Sequence, residues 1–136
     1  AYANAKSLDD FSGAKITSQQ GVYLYNLISQ IPGAQKETAM GDFAQMRQAL
    51  EAGVIDAYVS ERPEGVSATA ANDNFAMVEF DKGQGFKTSA EDTAIAVGLA
   101  KDSPLKDKIN KILAGISEDE RKDLMDQAIK NQPASK

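Results

Sequence analysis

The sequence contains no cysteine and no histidine. Those two absences exclude thiol nucleophiles, histidine-based relays, imidazole general bases and thiolate zinc sites. The lack of cysteine says nothing firm about redox compartment, because disulfides are optional outside the cell. No apolar run approaches the roughly 20 residues a membrane helix needs. The opening AYANAKSLDD has no signal-peptide character, so an exported protein would carry its targeting segment elsewhere. No G-x-G-x-x-G and no P-loop lysine pattern occurs, which removes the familiar phosphate cradles. Basic residues are also in deficit. The chain has 15 Lys and Arg against 20 Asp and Glu, a net charge of -5. It therefore carries no basic footprint for nucleic acid and no Lys/Arg-rich amphipathic face for a membrane. That charge maintains solubility, and it also suits a cationic or zwitterionic solute.

The chain does have material for a core. Its 136 residues are 42% hydrophobic, enough for one ordinary domain. Short apolar segments alternate with helical patterns, and no repeat is visible. Ser7 caps a turn over Leu8–Phe11, with Asp9 and Asp10 at its start. Lys15–Ser18 reads as a strand, Val22–Ile31 as a helix closed by Pro32-Gly33, and Gln35–Ala39 as a second strand. Asp42 and Gln45 stand at capping-box spacing before a helix that closes at Gly53. Val54–Ser60 follows as a strand with Ile55, Ala57 and Val59 on one face. Pro63 and Glu64 open a helix to about Asn72, and Phe75–Phe80 is the next strand.

Asp81–Ala90 is poor in apolar residues and reads as a loop or linker. Thr93–Ala100 reads as a strand, and Ser103-Pro104 opens a helix striped by Leu105, Ile109, Ile112 and Ile116. Ser117 and Glu120 form a second capping box, ahead of a helix to about Lys130. The last residues, 132–136, are expected to fray. Such alternation implies an α/β fold, a parallel or mixed sheet flanked by helices. Ligands then bind at the carboxyl ends of the strands, which directs attention to two loops.

The first loop is Thr17-Ser18-Gln19-Gln20-Gly21-Val22-Tyr23. Gly21 at a strand-to-helix turn either makes a plain tight turn or lets the backbone approach a ligand. In the second case the free N–H groups beyond it seat an anion such as a carboxylate. Tyr23 either packs or borders that seat. The second loop is Asp56-Ala57-Tyr58-Val59-Ser60-Glu61-Arg62-Pro63. Glu61 either favours the helix start or faces a cleft and takes a ligand ammonium. Arg62 pairs with a surface acid in the plain reading. If both loops line one cleft, it complements a zwitterion.

The order of motifs resembles the polar amino-acid substrate-binding proteins of ABC transporters, the bilobed periplasmic-binding-protein-like type II family. Leu8-Asp9-Asp10-Phe11-Ser12-Gly13-Ala14-Lys15-Ile16 is similar to the "DL.GK.(V/I)" segment entering their second lobe. Gln20-Gly21-Val22-Tyr23 resembles their "QGT(T)" loop, and Ala49–Val59 resembles "aL..GrvDavv". Thr93–Ser103 is similar to "yGiavrKgs", and Pro104–Leu113 to the following "L...iN..L" helix. Each motif is loose, and their order is the specific feature. Val22 and Tyr23 stand where the family often has hydroxyl residues. Glu61 stands where an aspartate usually holds the ligand's α-ammonium, and Gln19 aligns with a variable pocket wall.

The resemblance implies a periplasmic-binding-protein-like lobe. Residues 1–84 would be most of lobe two, 85–92 a hinge or linker, and 93–136 a strand and helices returning to lobe one, whose main body precedes Ala1. The implied function is reversible amino-acid capture for a permease, extracytoplasmic, with no catalysis, cofactor or metal. The implied ligand contacts are Gln19, Gly21, Val22, Tyr23, Ser60 and Glu61. The membrane would be met only through an anchor or permease outside this chain. The alternative is the ligand-sensing effector domain of a transcription regulator with the same fold. A fragment of this kind is expected to self-associate by exchanging its C-terminal elements as a domain swap.

Overall fold

The central strand is β1, Lys15–Ser18, whose Ile16, Thr17 and Ser18 are all buried. The computed structural model describes residues 2–131; the expectation for 132–136 lies outside them. β1 pairs in parallel with β2, Gln35–Lys36, on one edge and with β3, Ala57–Val59, on the other. The crossovers carry helices: α1, Leu24–Leu27, continued by a 3-10 turn over Ile28–Gln30, and then α2, Phe43–Glu51. After β3 comes α3, Arg62–Ala71. The fold is thus α/β, a three-stranded parallel sheet of order β2-β1-β3 flanked by helices, as the alternation of patterns requires.

Local chemistry sets several boundaries. Ser7 and Asp10 form a capping box on the 3-10 turn Leu8–Phe11. Asp42 Oδ1 accepts from the Gln45 amide at 2.9 Å and fixes the start of α2. Asp56 Oδ2 accepts from the Lys15 amide at 2.8 Å and holds the approach to β3 against the start of β1. Phe11, Ala14, Ile16, Ile28 and Ile31 form the core, with Tyr2, Val59, Val78, Phe80 and Phe86 packed against it. Phe11 stacks on Tyr2 at 5.4 Å and meets the edge of Phe80 at 6.2 Å.

Several expected elements are shorter or absent. The helix over Val22–Ile31 breaks into α1 and a 3-10 turn; its Val, Tyr, Asn and Ile residues are middling helix formers. The strand over Gln35–Ala39 shrinks to β2. Beyond it the chain stays beside β1 through Thr17 Oγ1, which donates to the Thr38 carbonyl at 2.8 Å. β3 starts only at Ala57, because the Val54 and Ile55 amides turn back to the Ala49 carbonyl at 2.9 and 3.3 Å. Phe75–Phe80 is not a strand: among the described residues no backbone group pairs with the amides of residues 76–80. Thr93–Ala100 is not a strand either. Its first residue ends α4, Ala90–Thr93, and 94–100 have no regular structure.

The chain divides into two compact units, Ala1–Asp92 and Thr93–Lys136. The second holds α5, Lys106–Ala114, and α6, Glu118–Lys130. α5 begins two residues later than expected, with Ser103 Oγ accepting from the Leu105 amide at 3.3 Å. The Ser117–Glu120 capping box opens α6 as expected. Arg121 Nη2 donates to the Leu113 carbonyl at 2.7 Å and ties α6 to the end of α5. No described residue of this unit is buried. Leu105, Ile112, Leu124 and Met125 all remain exposed.

Candidate functional site

β1 and β3 end side by side. Ser18 stands opposite Val59 in register, and its hydroxyl donates to the Val59 carbonyl at 2.8 Å. The loops that follow therefore leave one edge of the sheet, its carboxyl end, where open α/β sheets place ligands.

On the first loop, Gly21 has φ +79°, and nothing lies within 4 Å of where its Cβ would be. That left-handed turn suits glycine and leaves open space over the backbone. Among the described residues no protein acceptor takes the amides of Gly21, Val22 or Tyr23. The helix beyond is only the four residues of α1, so it adds little macrodipole. What remains of the expected anion seat is a turn with free N–H groups. Gln19 is partly engaged elsewhere: its Nε2 donates to the Gly41 carbonyl at 3.4 Å, and its backbone bridges to Met40.

On the second loop, Glu61 occupies the N-cap position of α3, yet its side chain makes no capping hydrogen bond. Among the described residues its carboxylate accepts no hydrogen bond at all, and it is exposed. Ser60 Oγ donates to the Glu61 carbonyl at 3.3 Å. Arg62 pairs with Glu79 at 2.9 Å on the surface, as a plain reading of the sequence expects.

The two loops meet electrostatically. The Tyr23 hydroxyl is pushed above its ordinary pKa by burial first, then by the negative charges of Glu61 and Asp92. Loss of the phenolic proton would add a third negative charge there. Tyr23 thus lies within electrostatic reach of Glu61 and Asp92, while Ser60 and Glu61 line a groove that no residue of the first loop lines.

Two features escaped the sequence reading. The first is Asp92, whose one signal in the sequence is Ser89, three residues before it at capping-box spacing. Ser89 Oγ donates to Asp92 Oδ2 at 2.7 Å and accepts from the Asp92 amide at 3.1 Å. The second feature is a groove of about 780 Å³ lined by β3, by α3 at Gly65 and Ala68, and by residues 76–80. The sequence hides it, because Phe75–Phe80 reads there as a strand. Among the described residues no cluster of acidic side chains is arranged to hold a metal ion.

No family model matches this sequence, and no curated protein or solved structure is significantly similar to it.

Proposed function

We propose that this chain is the ligand-binding part of an extracytoplasmic solute-binding protein, capturing a polar or cationic amino acid for an ABC importer. The observation that carries the reading is the unengaged carboxylate of Glu61, whose charge is felt by Tyr23 on a loop whose amides are free. A ligand α-ammonium meets Glu61 in a charge-assisted hydrogen bond. Its carboxylate meets the N–H groups of Gly21, Val22 and Tyr23. Asp92 adds negative charge near Tyr23, which favours a cationic side chain over an acidic one. No bond is made or broken in this reading; the task is reversible capture and delivery to a permease.

Backbone amide NMR of the chain, titrated with arginine, lysine, glutamine and aspartate to tens of millimolar, tests it. A cationic or polar amino acid should shift the Gly21–Tyr23 and Ser60–Glu61 amides together. Its methyl ester should shift the first loop less, and its deamino analogue the second. Titrations in which no amino acid moves either loop would sink the proposal.

A further inference from the structure

β3 pairs with β1 along one edge only, and that leaves its other edge without a ladder. Residues 76–80 form a second unpaired backbone, since none of their amides has a backbone acceptor among the described residues. Both stretches line the same groove of about 780 Å³. Its wall is mostly apolar, with Phe11, Ile55, Val59, Met77 and Phe80 among its residues. A strand residue occupies about 160 Å³, from its rise, the spacing between strands and the distance between packed layers. The groove is thus of the scale of a short strand. Two unsatisfied backbone edges around an apolar slot are what an added strand completes.

The same chain carries a segment of matching chemistry. Residues 94–100 read Ala-Ile-Ala-Val-Gly-Leu-Ala, without charge or proline. Ile95, Val97 and Leu99 alternate with Ala and Gly, the period of a strand with one bulky and one small face. The segment has no regular structure, and Ile95 is 85% exposed. A stripe of this kind is rarely left in water.

From these two halves we infer that the groove beside β3 is a strand-acceptor slot for residues 94–100 of a second copy of this chain. Each copy has one donor and one acceptor, so a reciprocal exchange satisfies both and closes as a two-fold dimer. Ser60 and Glu61 line this groove too, so a seated strand and an amino acid would compete there, but the inference does not depend on the amino-acid reading.

Sedimentation velocity and hydrogen exchange on the whole chain test it. The expected result is a dimer whose formation protects the amides of residues 76–80 and 94–100 together. Val97→Asp places a carboxylate in a slot that already carries Glu51, Asp56, Glu61 and Glu79 and should weaken dimerisation by at least about a hundredfold. Val97 is exposed, so the variant should keep the circular dichroism of the parent. Leu124→Lys, on the stripe of α6, should leave the dimer intact. A chain that stays monomeric at high micromolar concentration overturns the inference, including one that protects both segments within a single molecule. So does a dimer that survives Val97→Asp or dissociates only on Leu124→Lys.

Discussion

Arg47 grips Glu64 with two parallel hydrogen bonds, Nε to Oε1 at 3.0 Å and Nη2 to Oε2 at 2.9 Å. The pair joins α2 to α3, and its side chains are only 24% and 12% exposed. Bidentate geometry and partial burial lift it above a typical surface ion pair. Removing one partner leaves the other charge poorly solvated. Glu64→Ala should therefore destabilise the protein by about 2 kcal/mol. Glu79→Ala breaks the more exposed pair with Arg62, at 47% and 58% exposure, and should cost no more than about 0.5 kcal/mol. Urea unfolding of both variants checks the contrast.

Tyr58 completes this cluster, donating from its hydroxyl to Glu64 Oε1 at 3.2 Å. Burial, followed by the Glu64 charge, pushes its pKa from the ordinary 10 up to about 12. The folded protein thus holds this proton at pH values where the unfolded chain has lost it. The stabilisation is fully present below pH 10 and is lost as pH rises towards 12. Subtracting the unfolding curves of Tyr58→Phe from those of the parent should isolate that fall. A flat difference across this range means that the phenol is not held in the folded state.

Tyr23 offers a direct measure of how close the two candidate loops lie. Its pKa is raised by burial, by Glu61 and by Asp92, in that order. Glu61→Gln and Asp92→Asn should each move the pKa back down, and neither should restore the ordinary value alone. A bound ligand ammonium at Glu61 should move it in the same direction. NMR of the tyrosine ring through the alkaline range reads all three. If Glu61→Gln leaves the titration unmoved, the loops do not share a cleft.

The sequence discloses what is local. Asp42 and Gln45, or Ser117 and Glu120, announce helix starts because donor and acceptor lie within one turn of chain. β1 is legible because the β-branched pair Ile16-Thr17 stands between Gly13 and Gly21. The strands expected over 75–80 and 93–100 have suitable residues but lack a partner edge, and a partner edge is a property of distant chain. The Arg47–Glu64 pair depends on how α2 and α3 pack, which periodicity does not specify. The candidate site was half legible. The carboxyl-end rule located Tyr23 and Glu61, whereas the length of α1 and the proximity of Asp92 depend on tertiary structure.

Gly33 is the glycine whose replacement should cost most for an identifiable reason. Its φ is +71°, and an added Cβ would lie 2.5 Å from Ser12 Oγ. Its carbonyl also accepts from the Gly13 amide at 2.9 Å, so the turn has little freedom to relax. Alanine there bears the left-handed backbone penalty of about 1 kcal/mol and must also displace the Ser12 hydroxyl. Gly21 shares the positive φ but faces open space, so Gly21→Ala bears the backbone term alone. Gly33→Ala should therefore be the more destabilising by about 0.5–1 kcal/mol in urea unfolding. The excess should vanish when Ser12 is also alanine, because the Ser12 Cβ lies at 3.6 Å, an ordinary contact. Equal costs for Gly33→Ala with and without Ser12→Ala would show that the hydroxyl swings aside freely and that only the backbone resists.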